Sequence, residues 1–224
     1  MFKARLAAIT AAASLMFAYA TQAVALGGVN IGVGVSGAWT GLSTSGSHTL
    51  RTTSVKETTQ KDVDVVIPAI FLQLELPIGF VIGYEHNPGE AELGKSETQR
   101  SHITANETSE TATQVAQAEV SDHHTYYLES PGFGPMGLYA VVGWSEADVI
   151  TNENLQTGSA YGDTTVEGWM YGLGMKQSFD NGFFVKAVAT FTEYDDISIT
   201  SDGSNIVAGD IEAYAGKLAL GYNF

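Results

Sequence analysis

The residues of this chain with the most chemistry in them are its histidines and carboxylates. Asp122, His123 and His124 are consecutive, and Asp195 and Asp196 form a second acidic pair further on. A carboxylate and an imidazole held together activate water for hydrolysis, and neutral imidazole also binds metals and titrates near neutrality. Neither chemistry is supported by spacing. His48, His86, His102, His123 and His124 show no zinc-ligand pattern, the acidic stretches lack the calcium-loop pattern, and no activated serine stands with a positioned histidine. The chain has no Cys, which excludes thiolate nucleophiles, disulfides and Cys-based metal sites. The expectation is a protein that is not an enzyme and has no cofactor.

A second set of charges is informative because of the faces on which it falls. Between Ile211 and Phe224, Tyr214, Leu218, Leu220, Tyr222 and Phe224 alternate with small residues, Lys217 and Asn223. Read at period two, this is a strand with a large apolar face and a small or charged one. Glu75, Glu85, Lys176 and Lys186 fall in the same way on the small faces of other alternating segments. A water-soluble barrel would turn the large apolar face inward and the lysines outward. A membrane barrel inverts that arrangement. Buried charges persist when paired and hydrogen-bonded, so Glu75, Glu85, Lys176, Lys186 and Lys217 are expected to form an internal network that plugs the lumen, with Glu75 and Glu85 as partners for Lys217.

The elements that must position these residues follow from the same alternation. Met1 to Ala25, with Lys3 and Arg5, an apolar run and Ala23-Val24-Ala25, reads as a secretory signal peptide. Its removal takes the net charge from −15 to −17, which weighs against nucleic acid as a partner. Strands are expected at 29–41, 63–76, 80–87, 123–130, 137–147, 165–179, 183–194 and 211–224. Three connections are short turns, among them Asp180-Asn181-Gly182, whose Asn-Gly tolerates the positive φ of a hairpin. The others are long and polar, at about 42–62, 88–122, 148–164 and 195–209, and their Thr-rich ends are expected to continue the flanking strands above the membrane and offer an exposed edge to partner proteins. Alternation does not settle the inward faces of 123–130, where Tyr126 and Tyr127 are adjacent, or of 137–147, apolar on both sides. Trp39, Tyr84, Trp144, Trp169 and Tyr194 near the loop-side ends, and Tyr222 and Phe224 near the turn-side ends, are expected in two interfacial aromatic girdles.

The fold class is therefore all-β, an eight-stranded antiparallel up-and-down transmembrane β-barrel spanning 26–224. With its alternating long and short connections and its terminal Tyr222-Asn223-Phe224, the chain resembles the small outer-membrane barrels of the OmpA-domain, OmpX and opacity-protein type. That resemblance implies residence in the outer membrane among its lipids, with extracellular loops, periplasmic termini and recognition of Phe224 by the barrel-assembly machinery. The implied role is structural or adhesion-like, with acidic external loops meeting surface protein partners. Other readings are a narrow channel for ions or small solutes and, more weakly, a hydrolase, because Asp122, His123, His124, Asp195 and Asp196 are of the residue types used by the omptin proteases.

Overall fold

The computed structural model describes residues 28–49, 56–103, 109–154, 162–200 and 206–224. The signal peptide expected at Met1–Ala25 lies outside the described residues. Among the described residues ten strands are present: β1 (Asn30–Thr49), β2 (Lys56–Glu75), β3 (Val81–Asn87), β4 (Ala91–Ile103), β5 (Ser109–Glu129), β6 (Leu138–Asn154), β7 (Thr164–Ser178), β8 (Phe183–Tyr194), β9 (Ile197–Thr200) and β10 (Ile206–Asn223). Eight of them form the ring β1-β2-β3-β5-β6-β7-β8-β10, which closes where β1 pairs antiparallel with β10. The other two, β4 and β9, continue β3 and β8 past breaks at 88–90 and 195–196, and they pair only with β5 and β10. The barrel thus has eight staves, all antiparallel.

The long loops expected at 42–62, 88–122, 148–164 and 195–209, with Thr-rich ends continuing the flanking strands, are corrected in extent: strand runs through most of the described part of these stretches. Strands β1 and β2 stay paired out to Thr49 and Lys56, β4 and β5 form a hairpin across most of 88–122, β6 runs on to Asn154, and β9 pairs with β10 within the fourth stretch. Alternation vanishes from the sequence there because neither face needs to be apolar once a strand rises clear of both lipid and lumen. The backbone ladder and the Thr-rich composition suffice to keep it extended.

Pro68 lies inside β2, opposite Gly37 of β1. The pairing of β2 with β3 begins only at Ile70. Pro68 therefore sits at the point where β2 loses one neighbour, and its missing N–H breaks no ladder. At the opposite rim Gly79 and Gly182 adopt φ of 85° and 87° and close two of the tight turns.

Packing follows the inverted pattern. Trp39, Val66, Leu173 and Leu218 are each about two-thirds or more exposed on the outer surface, whereas Phe184, Gln73 and Ser145 are almost completely enclosed. The inner layer is fitted by ring-on-glycine pairs between adjacent strands: Phe71 over Gly34, Tyr127 over Gly83, Tyr139 over Gly174 and Phe184 over Gly221. Each glycine is the register partner of its ring, so the narrow lumen holds four aromatic side chains without widening. These contacts also settle the inward faces that alternation left open. Tyr127 and Glu129 of β5 point inward, as do Tyr139, Val141 and Ser145 of β6. Near the upper rim a bulge at Asp122, with φ of 47°, re-phases β5 so that both Val120 and His123 turn toward the interior.

Candidate functional site in the barrel lumen

The centre of the lumen is held by Lys186. Its ammonium donates to both oxygens of Glu129, at 2.6 and 2.8 Å, and to Oε1 of Gln73 at 2.7 Å. The rings of Phe71, Phe184, Tyr127 and Tyr139 surround it, with centroids 5.4 to 5.9 Å from Nζ. All three ammonium hydrogens are thereby used, and the aromatic faces add cation–π attraction.

Two further ion pairs lie on either side of this centre. Toward the turn-side rim Lys176 binds Glu75 at 2.6 Å, and Asn223 donates to the same carboxylate. This pair borders a cavity of about 200 Å³ shared with Ser130, Tyr139 and Ser178. Toward the loop-side rim Lys217 binds Glu85 at 2.7 Å, and Ser36 donates to the second oxygen of Glu85. The hydroxyls of Thr125 and Ser145 pair at 2.8 Å. The arrangement neutralises each cation locally and fills the cross-section with side chains.

The five predicted interior charges are thus all engaged in ion pairs, with a specific partition. Of its two expected partners Lys217 takes Glu85, while Glu75 belongs to Lys176. Sequence reasoning missed Glu129, the partner of the most deeply buried lysine. The signal was its even spacing from Tyr127 on β5, unusable while the strand's inward face was undetermined.

On the outer surface, rings of adjacent strands pack in pairs: Trp144 with Trp169, Tyr84 with Tyr126, and Phe191 with Tyr214. Trp39 stands beside them, and Tyr222 meets both Phe183 and Phe224 at the opposite rim. Tyr194, expected in the loop-side girdle, is a correction. It shares the parity of Phe184 and Lys186 on β8, so it faces the lumen, where its hydroxyl lies 3.0 Å from Nε2 of His123.

The loop-side acids and histidines do not converge on one point. His123 faces inward, whereas His124 packs among Tyr84 and Tyr126 on the outer wall, with Nε2 3.7 Å from Glu146. Nδ1 of His86 lies 3.7 Å from Asp122. Asp196, outside the membrane-spanning part, has its pKa raised by a hydrogen bond shared with Asp210 and by the repulsion of that neighbour. No group of three or more His, Asp or Glu side chains among the described residues is arranged to hold a metal ion.

No protein-family model matches the sequence, and no curated protein does either. Similar solved structures include the outer membrane protease OmpT of Escherichia coli, at 8% identity and a TM-score of 0.51, covering 91% of this chain and 100% of that one. Ail, the attachment invasion locus protein of Yersinia pestis, solved with the heparin analogue sucrose octasulfate, aligns at 12% identity and a TM-score of 0.43, covering 88% of this chain and 97% of that one. At 8% identity the likeness to OmpT concerns the fold alone, a closed antiparallel barrel of the outer-membrane type.

Proposed function

We propose that this chain is an outer-membrane barrel whose work is surface display, the membrane part serving as a plugged anchor for a raised β-sheet. The observation that carries this reading is strand length. About 9–11 residues suffice for a strand to cross a bilayer, yet β1, β2 and β5 have 20, 20 and 21 residues. Beyond the aromatic belt at Trp39, β1 continues for the whole of Thr40–Thr49, roughly 30 Å of extended chain at about 3.3 Å per residue. Such a projection is costly to order unless its surface is used.

No ladder joins β2 to β4 among the described residues, so two strand edges run upward side by side above Pro68 and Pro88. Unpaired backbone edges accept an added strand from another protein, and the acidic residues of the β4–β5 stretch favour a basic partner surface. At the other rim Phe224 packs on Tyr222 and donates its N–H to Ile31. This aromatic pair at the turn-side end of the closing strand supports recognition by the assembly machinery.

The test replaces residues 91–120 by a two-residue Asn-Gly turn and measures adhesion of cells expressing the variant to basic matrix proteins and to host cells. Adhesion should be lost while heat-modifiable gel migration, the mark of a folded barrel, is kept. Undiminished adhesion would overturn the reading. The three interior ion pairs weigh against a narrow channel; a stable, sizeable conductance in planar bilayers would restore it.

A further inference from the structure

Three cavities lie one behind another in the lumen, of about 90 Å³ on the loop side, 20 Å³ at the centre and 200 Å³ on the turn side. The turn-side cavity reaches the rim at Gly79, Gly132 and Gly137. The loop-side cavity exists because β10 presents only Ala213 and Ala215 at successive inward positions. It reaches Asn87 and Gly89, where the chain breaks between β3 and β4 and no ladder joins β4 to β2 among the described residues. His123, Thr125, Ser145, Thr192 and Tyr194 supply polar groups to its walls. A polar lining of this kind suits water, and the central cavity has room for about one molecule.

The partitions between the cavities are carboxylates. Glu85 borders both the loop-side and the central cavity, and Glu129 borders both the central and the turn-side one. Each is held by a lysine, Glu85 by Lys217 at 2.7 Å and Glu129 by Lys186 at 2.6 Å. An inorganic ion could pass only by displacing both ammonium groups and shedding its own water, which is costly in a lumen this narrow. A proton is not so restricted. A carboxylate with water on two sides accepts a proton from one and returns it to the other, and ionisable groups within a membrane that face water-filled cavities are the usual parts of proton relays.

We infer that Glu85 and Glu129 form a proton relay through a barrel that is closed to ions. A proton moves from water in the loop-side cavity to a carboxylate oxygen of Glu85, then to water in the central cavity, then to Glu129 and the turn-side water. At each hop one O–H bond breaks as another forms. Both carboxylates end as they began, Lys186 and Lys217 stay protonated, and one positive charge has crossed. The driving force is the proton gradient and the membrane potential, so no co-reactant is consumed.

The experiment reconstitutes the full chain in phospholipid vesicles that enclose the pH-sensitive dye pyranine, and drives protons inward with a potassium diffusion potential set by valinomycin. Acidification faster than in protein-free vesicles is expected, whereas planar bilayers holding the same preparation should pass no potassium or chloride current above background. Glu85→Gln and Glu129→Gln keep the shape of the side chain but remove the proton acceptor. Because the two act in series, either one alone should return the flux to the protein-free rate. Should either variant fail to give a heat-modifiable band, Lys217→Met/Glu85→Leu or Lys186→Met/Glu129→Leu takes its place, with both charges of the pair removed. Glu146→Gln, on the outer wall, should leave the flux unchanged. Acidification no faster than in protein-free vesicles would overturn the proposal, as would a flux that survives the substitutions. A potassium or chloride current would overturn closure to ions.

Discussion

Replacing Lys186 by Met keeps the side-chain stem and removes the charge at the centre of the lumen. At 2.6 Å from Glu129, the Coulomb attraction is roughly 6 kcal/mol at an effective dielectric of about 20. Desolvation of the two ions offsets much of this, so the pair as a whole contributes far less. The single variant is a different matter, because Glu129, only 4% exposed, loses its cation and keeps its burial. Breaking such a pair on one side costs about 3–5 kcal/mol. The double variant Lys186→Met/Glu129→Leu removes both charges and should regain most of that loss, giving a coupling of about 3 kcal/mol in a double-mutant cycle. The assay is urea unfolding of the barrel in lipid vesicles followed by tryptophan fluorescence, with linear extrapolation to water. A loss below about 1 kcal/mol in the single variant, or a double variant as unstable as the summed singles, would refute the reasoning.

Two further outcomes follow from the geometry. Gly83→Ala places a methyl group against the ring of Tyr127, and overpacking of this kind should cost about 1–3 kcal/mol; the same unfolding assay measures it, and Gly216→Ala, where the space is open, serves as the near-neutral control. At the β9–β10 pairing, Asp196 has a folded pKa raised above 3.8 by Asp210. Its contribution is therefore fully present below pH 3.8 and lost as pH rises through the raised value. Hydrogen exchange of the β9 amides should be slowest at acid pH after correction for intrinsic rates, and Asp196→Asn should remove that dependence.

The membrane part of the barrel was legible in the sequence because lipid and lumen impose opposite demands on alternate residues. Phe183, Val185 and Leu218 outside, against Lys186 and Lys217 inside, leave only one orientation for β8 and β10. The inward glycines were legible too, as space for larger neighbours, although only the register reveals that Gly83 serves Tyr127 and Gly221 serves Phe184. Where both faces of a strand are wet, the constraint disappears, and of the extensions of β1, β2, β4 and β5 only the Thr-rich ends read as strand. Tyr194 was misplaced by its position near a strand end, although the parity of its own strand turned it inward. Glu129 escaped because Tyr126 and Tyr127 compete for the same face in one dimension and are separated only by the glycine across from Tyr127. The cavity beside Ala213 and Ala215 depends on which small residues of different strands meet, and no single segment carries that information.

The inside-out barrel requires lipid against one face of every stave and a filled lumen against the other. Because the chain has no Cys, single cysteines introduced in turn from Ile211 to Asn223 can carry a spin label without further changes. Collision rates with dissolved oxygen, which concentrates in the bilayer, should alternate at period two. Labels at 214, 218 and 220 are expected to give high rates, and labels at 213, 219 and 221 low ones. Uniform rates, or high rates at 213, 219 and 221, would contradict the inside-out barrel.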